Sequence, residues 1–391
     1  MTNTEPAVQF DKWTAFSVIA AALRKKVHLP LGRIKIYPNA YIVFVAEPGI
    51  ARKSQAINFG LDFLASIPDI ITSADAITKE ALLDDLENCA VDEIMPDGKN
   101  FRHSSLNIVS KEFESFLGQK KENTKMLVLL TDLFDCAEIP WKYRTKNSGT
   151  NIIPSVFINL LAATTPDSLA SSLPPTAVGG GLASRVLFIW ADGKKKKVPR
   201  PFMTKEEFEL KELLIKDLYV ISRLVGKYEM TEDCCKHWDE WYYAYEEQDK
   251  DRLCNDPSFN GWYSRKPMYA LKIAMLCAAS RSDSLEITWE LIQEAMEELE
   301  EIEQSMGKVF TSIGKSTVTS EVDLVLKIIE QRGCLTEKAL MSLIWRDIDS
   351  DKFDNVISTA MRTGRVVRSY AGPNGEKGNI WYYSQSRQKL T

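Results

Sequence analysis

The sequence has 391 residues, of which 45% are hydrophobic and 26% are charged, and its formal net charge is −5. These values are typical of a soluble chain with several folded domains, and they exclude a whole-chain attraction to nucleic acid, so that any such site must be a local basic patch. Seven cysteines without a C-x-x-C pair, three histidines, no membrane-length apolar run and no signal-peptide pattern predict a cytoplasmic protein without a zinc site or membrane partner.

Apolar and amphipathic patterns alternate along the first half of the chain. The predicted helices are Phe10–Leu23, a segment from residue 52 to about Leu64, Ser73–Asn88 with Thr78 as its N-cap, and Met126–Cys136. The predicted strands are Tyr41–Ala46, Ser105–Val109, Pro154–Ala163 and Arg185–Ala191. Two segments, Pro30–Asn39 and the turn-rich Pro140–Thr150, are predicted loops, and Val91–His103 is a predicted loop or hairpin. Such alternation predicts a three-layer α/β domain with a mainly parallel sheet.

The composition changes after residue 191. Gly193–Pro201 is a basic connector, and Thr204–Phe310 is almost wholly helical in pattern. Three short amphipathic segments and two strands around a glycine-rich turn then follow in the order of a winged helix. We therefore expect an N-terminal helical lead-in (1–40), an α/β core (41–203), an all-α lid (204–316) and a winged-helix domain (317–391).

The segment after the first buried strand has the form of a phosphate-binding loop. Pro48 and Gly49 interrupt the chain, and a helix opens at Arg52, Lys53 and Ser54. In a P-loop, backbone N–H groups surround a phosphate, the lysine contacts the outer phosphates and the hydroxyl contacts Mg²⁺. The pattern thus predicts binding of ATP and Mg²⁺.

This loop departs from the general pattern G-x-x-x-x-G-K-[ST], which would place glycines where the chain has Glu47 and Arg52. A carboxylate close to phosphates costs electrostatic energy unless it points away. A plain turn between a strand and a helix, carrying Arg-Lys by coincidence, is the alternative interpretation of this segment.

Nucleotide hydrolysis needs an acid at a strand end and a polar group on a neighbouring strand. Glu112 follows the Ser105–Val109 strand and is the predicted catalytic acid and metal ligand, with Asp132 as the second candidate. Lys111 stands where a further acid is common, which weakens the prediction of metal binding. Thr164 and Thr165 end the next strand and are the predicted γ-phosphate sensors, with a plain turn as the alternative.

Basic residues suggest two further roles. Arg185 precedes the last strand of the core, where ring ATPases carry an arginine that reaches the neighbouring subunit's nucleotide. Lys142, Arg144 and Lys146 alternate with aromatic residues between the acid and sensor strands, the interval that projects into the pore of ring helicases. Cations there would contact DNA phosphates and aromatic rings would stack on bases; a solvated basic loop is the alternative.

Over roughly residues 10–310 the chain resembles a family of phage- and mobile-element-encoded P-loop proteins, which are similar to the helicase halves of primase–helicases. The segments that carry this resemblance are YPNAYIVFVAEPGIARKS, ITKEALLDDL, NIVSKEFESFL, TDLFDC, YRTKNSGT, FINLLAATTP, GGGLASRVLFIW and SRKPMYALKIAML. The resemblance implies an AAA+-like ATPase that assembles into a ring, expected to be a hexamer, and moves along single-stranded DNA during replication of a phage, plasmid or genomic island. Arg52 is common at its position in this family, and Arg265 would contact the γ-phosphate in cis.

The C-terminal pattern leaves its partner open. Lys352 and Arg362 lie on the third predicted helix and Arg368 lies in the hairpin, which suits duplex DNA, whereas neighbouring acidic residues favour docking of other replication proteins. Two alternatives to a helicase therefore remain: a non-hydrolysing helicase loader or origin-binding adaptor, and a DNA-binding regulator with a vestigial core.

Overall fold

The computed structural model describes residues 3–118, 120–145, 149–173, 181–247, 252, 259–310, 317–345, 348, 350–362, 364–373 and 375–384. The chain divides into two compact units, Met1–Ile313 and Gly314–Thr391.

The first unit contains an α/β part followed by a mainly helical part. Its helices are α1 (Val8–Leu23), α2 (Lys53–Leu64), α3 (Lys79–Asn88), α4 (Phe113–Leu117), α5 (Lys120–Leu133), α6 (Pro166–Ser172), α7 (Lys205–Ile221), α8 (Glu232–Glu247), α9 (Asn260–Tyr263), α10 (Lys266–Ala279) and α11 (Trp289–Phe310). Its strands are β1 (Val27–Leu31), β2 (Ile34–Ile36), β3 (Tyr41–Val45), β4 (Ala90–Ile94), β5 (Asn100–Ser110), β6 (Trp141–Thr145), β7 (Gly149–Ile153), β8 (Val156–Thr164), β9 (Leu187–Trp190), β10 (Gly226–Lys227), β11 (Glu229–Met230) and β12 (Glu286–Ile287).

A five-stranded sheet in the order β4-β5-β8-β3-β9 forms the centre of this unit. The four strands β5, β8, β3 and β9 are parallel, and β4 pairs with the edge of β5 in the antiparallel direction. Every residue of β3 and β8 is buried, as expected for central strands covered on both faces. The prediction of a mainly parallel sheet is confirmed.

Helices cover both faces of the sheet. Successive side chains of a strand point to opposite faces, and within β3 the Phe44 ring stacks on Phe10 of α1 with centroids 4.5 Å apart, whereas Tyr41 packs edge-on against Phe134, directly after α5, at 5.0 Å. Helices α1 and α5 therefore lie on opposite sides, which confirms the predicted three layers. The predicted helix Met126–Cys136 corresponds to the C-terminal half of α5, which ends at Leu133.

Three parts of the sequence prediction need correction. The predicted loop Pro30–Asn39 contains β2 and the end of β1, which pair around Gly32 at φ 59°. The predicted turn-rich segment Pro140–Thr150 is largely the antiparallel hairpin of β6 and β7. The helix expected over Ser73–Asn88 begins only at Lys79, where the Thr78 hydroxyl accepts a hydrogen bond from the Ala81 N–H. Cross-strand pairing, which no local pattern contains, decides the first two cases.

The second unit combines helices with a small antiparallel sheet. Its elements are α12 (Thr317–Arg332), β13 (Cys334–Thr336), α13 (Glu337–Ile344), α14 (Ser350–Arg362), β14 (Val366–Ala371) and β15 (Lys377–Ser384). The strand order is β13-β15-β14, and the buried core includes Val325, Ile329 and Val356. The three helices and two C-terminal strands follow the prediction; β13 adds a third strand. Among the described residues of the whole chain, no helix is both long and apolar enough to cross a membrane.

Candidate functional site

The loop between β3 and α2 (residues 46–52, the β3–α2 loop) contains two residues with positive φ. Gly49 has φ 75°, and Arg52, which directly precedes the helix, has φ 58° and ψ 39°. Helix α2 then begins at Lys53. The first N–H groups of a helix have no partner inside the helix and carry partial positive charge. The local geometry therefore presents several backbone donors at the carboxyl end of a buried parallel strand.

The Lys53 ammonium lies against this loop. Its Nζ donates to the carbonyl of Ala46 at 2.5 Å and is 3.4 Å from the carbonyl of Glu47. Burial lowers the pKa of Lys53, and the negative charges of Glu112 and then Glu47 oppose that shift. Glu112, which directly precedes α4, therefore acts electrostatically on the lysine at the start of α2.

Strand register places Glu112 and Thr164 at the level of the β3–α2 loop. Thr164 lies beside Val45, and Ser110 lies beside Ala162, two residues before Thr164. Glu112, two residues beyond Ser110, therefore reaches the level of Thr164. Because β8 separates β5 from β3, two strand spacings, about 10 Å, lie between the acid and the loop. That gap is wide enough for a phosphate and a water molecule.

The two threonines differ in what they already do. Thr165 is the N-cap of α6, and its hydroxyl oxygen accepts a hydrogen bond from the Ser168 N–H at 3.2 Å. Thr164 is buried, and its hydroxyl lies 3.3 Å from the Thr165 carbonyl. The alternative of a turn-forming threonine therefore describes Thr165, whereas Thr164 holds a hydroxyl at the sheet edge.

The residues around Lys53 fit the donor set of a phosphate-bound magnesium ion. Ser54 and Glu112 are exposed, as are Glu47 and Pro48, so the Glu47 side chain does not fill the site. Mg²⁺ in such sites keeps several waters and takes one or two protein ligands together with phosphate oxygens. Within the described ranges, no group of three or more His, Cys, Asp or Glu side chains could hold a metal ion by itself, which is compatible with that shared coordination.

Arg52 is engaged by a residue from the start of the chain. Its Nε donates to the Glu5 carboxylate at 2.8 Å. The same carboxylate pairs with Lys194 in the basic connector at 2.5 Å. Arg52, predicted to bind nucleotide, therefore already has a carboxylate partner inside this chain.

Arg185 and Arg265 converge on a single carboxylate, that of Asp135. The Arg185 guanidinium lies 3.2 Å and the Arg265 guanidinium 3.5 Å from the two Asp135 oxygens. Both guanidinium carbons also lie over the Phe134 ring, at 5.9 and 6.0 Å from its centroid. Arg185 further donates to the Gly181 carbonyl at 2.7 Å. The two arginines thus form one cationic pair around a half-exposed acid.

This pair lies near the amino ends of the parallel strands, whereas the β3–α2 loop follows the carboxyl end of β3. Leu187 lies beside Ile42, which puts Arg185 level with Ala40, before β3 begins. Six residues of strand, about 20 Å, separate that level from Ala46. The expectation that Arg265 contacts a nucleotide of its own subunit therefore needs correction. The second candidate acid, Asp132, is also excluded from the loop edge, because it lies in α5 rather than at a strand end.

The β6–β7 hairpin separates its aromatic from its basic side chains. Trp141 and Tyr143 stack at 5.9 Å and are partly buried, and the Lys79 ammonium lies 4.4 Å from the Tyr143 ring centroid. Lys142 and Arg144 are exposed. The two rings are therefore partly covered by these contacts, whereas Lys142 and Arg144 are accessible. The third predicted cation, Lys146, lies outside the described residues.

In the second unit the predicted DNA-binding residues have different surroundings. Lys352 lies 3.7 Å from the Glu321 carboxylate, and Arg368 lies over the Tyr370 ring at 5.6 Å. Arg362 is exposed at the end of α14. Within the described residues, these three side chains therefore share neither a carboxylate partner nor an aromatic ring.

Comparison with known proteins adds little to this geometry. No protein-family model matches the sequence, and no curated protein matches it. Among solved structures, a full-length MCM homolog from Methanopyrus kandleri is similar at 17% sequence identity, with a TM-score of 0.40. The match covers 74% of this chain and 55% of that chain, so this chain spans about half of the neighbour's length.

Three residues that the sequence did not point to belong to these sites. Glu5, Asp135 and Lys79 become partners of predicted residues only through long-range contacts. Asp135 lies within the TDLFDC segment, where the apolar-to-polar change signals a helix end but no partner. Glu5 and Lys79 carry no local signal that distinguishes them from other surface charges.

Proposed function

We propose that this chain is an ATP-dependent DNA translocase or helicase whose nucleotide sites are completed between subunits. The observation that carries the proposal is the strand register, which brings Glu112 and Thr164 level with the loop that precedes Lys53, with β8 between β3 and β5. An intervening strand leaves space for the transferred phosphate and the attacking water. This is the arrangement that phosphoryl transfer needs, because catalysis there depends on positioning and charge.

Each residue at this edge has a role in the proposal. The α2 N–H groups and the Lys53 ammonium bind the outer phosphates of ATP, and the Ser54 hydroxyl supplies one ligand to Mg²⁺, which neutralises phosphate charge when bound. Glu112, exposed at the strand end, accepts the proton of the attacking water or orients it. Thr164 donates to the γ-phosphate from the strand between them.

The arginine pair supports sites shared between subunits. Arg185 and Arg265 lie about 20 Å along the strands from the level of the β3–α2 loop, which suits use by a neighbouring copy rather than by their own nucleotide site. An ion pair with a half-exposed acid such as Asp135 stabilises by about 0–1 kcal/mol. A triphosphate of a second copy could therefore displace Asp135, and a heterologous interface of this kind generates a ring where its rotation closes. We propose a hexamer.

DNA binding in this proposal uses the exposed side of the β6–β7 hairpin. Lys142 and Arg144 would contact the phosphates of a single strand in the ring, while the aromatic side holds the hairpin to Lys79. We further propose that the second unit is a winged helix, with α14 as the helix that enters a groove. A role in replication of a mobile element follows only from the resemblance of the sequence.

A helicase loader or adaptor that binds ATP without hydrolysing it remains the second candidate. The Glu47 carboxylate, exposed on the β3–α2 loop, and Lys111, at the place of a further acid, favour it, since both weaken the metal–phosphate chemistry that hydrolysis needs.

Steady-state ATPase assays with and without single-stranded DNA separate the two candidates. We expect DNA-stimulated phosphate release by the wild type and none above background by Lys53→Ala or Glu112→Gln. Circular dichroism and light scattering confirm that the variants are folded. ATP binding by the wild type without phosphate release would select the adaptor, and phosphate release above background at the same rate in wild type and Lys53→Ala would refute both.

A further inference from the structure

Arg52 has a backbone conformation that glycine adopts far more readily. Its φ of 58° and ψ of 39° lie in the left-handed region, where the Cβ of a non-glycine residue is crowded. The residue directly precedes Lys53, so its conformation sets the direction in which α2 starts. Arginine lacks the conformational freedom of glycine. Contacts from outside the loop must therefore favour the left-handed conformation of Arg52.

Glu5 is the only acidic side chain within the described residues that the structure pairs with Arg52. One carboxylate oxygen accepts from Arg52 Nε at 2.8 Å. The other oxygen accepts from the Val198 N–H at 3.0 Å and from Lys194 at 2.5 Å. These bonds, first that from Lys194, lower the pKa of Glu5 to about 2. The carboxylate is therefore ionised at neutral pH and uses both oxygens.

The backbone of the same segment repeats this connection. The Ala7 N–H donates to the carbonyl of Ala51, the residue before Arg52, at 3.3 Å, and the Lys195 N–H donates to the Glu5 carbonyl at 3.2 Å. Residues 5–7 thus contact both the β3–α2 loop and the 194–198 connector. Backbone and side chain together link three segments that lie far apart in sequence.

We propose that Glu5 is a positioning residue for the nucleotide site: its carboxylate, fixed to the 194–198 connector, holds Arg52 in the left-handed conformation that directs the α2 N–H groups and Lys53 towards phosphate. This inference rests on the proposed function. Its consequence is that the affinity for ATP depends on a residue that touches neither nucleotide nor metal. The connector that leads into α7 is coupled to the loop through the same carboxylate.

A double-mutant cycle between Glu5→Gln and Arg52→Gly tests this inference. Glutamine keeps the size of the side chain but replaces one acceptor oxygen by a donor, so it cannot hold Arg52 and the connector together. We expect Glu5→Gln to weaken ATP binding about fivefold, equivalent to about 1 kcal/mol. In the Arg52→Gly background, where glycine adopts the conformation unaided, the same substitution should change affinity less than about twofold. Equal losses in both backgrounds would overturn the proposal.

Asp11→Asn is the matched control. Asp11 also pairs with the connector, through Lys195 at 2.5 Å, but it does not contact Arg52. We expect its affinity for ATP, measured with a fluorescent analogue in the presence of Mg²⁺, to equal that of the wild type. A loss as large as that of Glu5→Gln would assign the effect to the connector and refute a specific role of the contact with Arg52.

Hydrogen exchange without nucleotide separates this inference from the proposed function. We expect Glu5→Gln to speed exchange of the Gln55 and Ala56 amides, which donate to the Arg52 carbonyl, about fivefold or more, because opening of the loop becomes easier, and to have no such effect when residue 52 is glycine. Unchanged exchange in Glu5→Gln would overturn the inference even if the wild type binds ATP. If the wild type does not bind ATP, the proposed function fails, and the exchange result still decides whether Glu5 holds the loop.

Discussion

Mixing two inactive variants tests whether Arg185 serves the site of a neighbouring subunit. Arg185 lies about 20 Å from the level of Ala46 in its own chain, so Arg185→Ala should leave Lys53 and its surroundings intact. A transition-state arginine contributes about 10³–10⁵ in kcat. We therefore expect Arg185→Ala to reduce the ATPase rate to background, as Lys53→Ala does. Lys53→Ala removes the lysine from the subunit's own site, whereas Arg185→Ala removes the arginine from the site of its neighbour.

A mixture of Arg185→Ala and Lys53→Ala distinguishes an arginine that acts on the neighbouring subunit from one that acts within its own subunit. A site is restored where an Arg185→Ala subunit, with an intact lysine, meets a Lys53→Ala subunit that supplies its arginine. With equal amounts and random assembly, about a quarter of all interfaces in a heterologous ring have this combination. Phosphate release by the mixture should therefore recover to about a quarter of the wild-type rate.

The assay needs a matched arginine and a test of subunit exchange. Arg281 pairs with the Glu294 carboxylate at 2.6 Å in the mainly helical part, so it is an ion-paired arginine outside the proposed sites. Arg281→Ala should keep the wild-type rate. Mixing equal amounts of wild type and the double variant Lys53→Ala/Arg185→Ala reports how fully subunits exchange, because the rate falls from about a half to about a quarter of the wild-type rate when the subunits mix at random. If exchange is complete and the two inactive variants together stay at background, Arg185 does not act across an interface and the reasoning from the sheet edges is wrong.

Three further predictions concern DNA, buried charge and packing. Replacing Lys142 and Arg144 by alanine should lower the salt dependence of single-stranded DNA affinity by about 1.4 in the log–log slope, and an unchanged slope in anisotropy titrations would exclude the hairpin. Burial lowers the pKa of Lys25 to about 8 from 10.5; since the unfolded state then binds more protons, the wild type should gain about 2 kcal/mol relative to Lys25→Met between pH 7 and 10 in urea unfolding, whereas a constant difference would contradict a buried ammonium. A Cβ at Gly60 would lie 2.7 Å from Thr14 Cγ2, so Gly60→Ala should lower the free energy of unfolding by about 1 kcal/mol, and a more stable variant would show that α1 moves freely.

The sequence by itself determined the features that depend on neighbouring residues. The apolar run of β3, the break at Pro48 and Gly49 and the start of α2 at Lys53 are local patterns, and the structure has them at the predicted positions. The same holds for the cap at Thr78. Periodicity and capping chemistry act over a few residues, which is why a single sequence was sufficient for them.

The tertiary structure alone decided which charges meet. The Glu5–Arg52 bond joins residues 47 apart in sequence, and the Arg185–Asp135 bond joins residues 50 apart. Arg265 was expected beside its own nucleotide, yet the packing of α10 places it with Arg185 at the far edge of the sheet. No local pattern contains such pairings, because strand order and helix packing bring the partners together only after the sheet has formed.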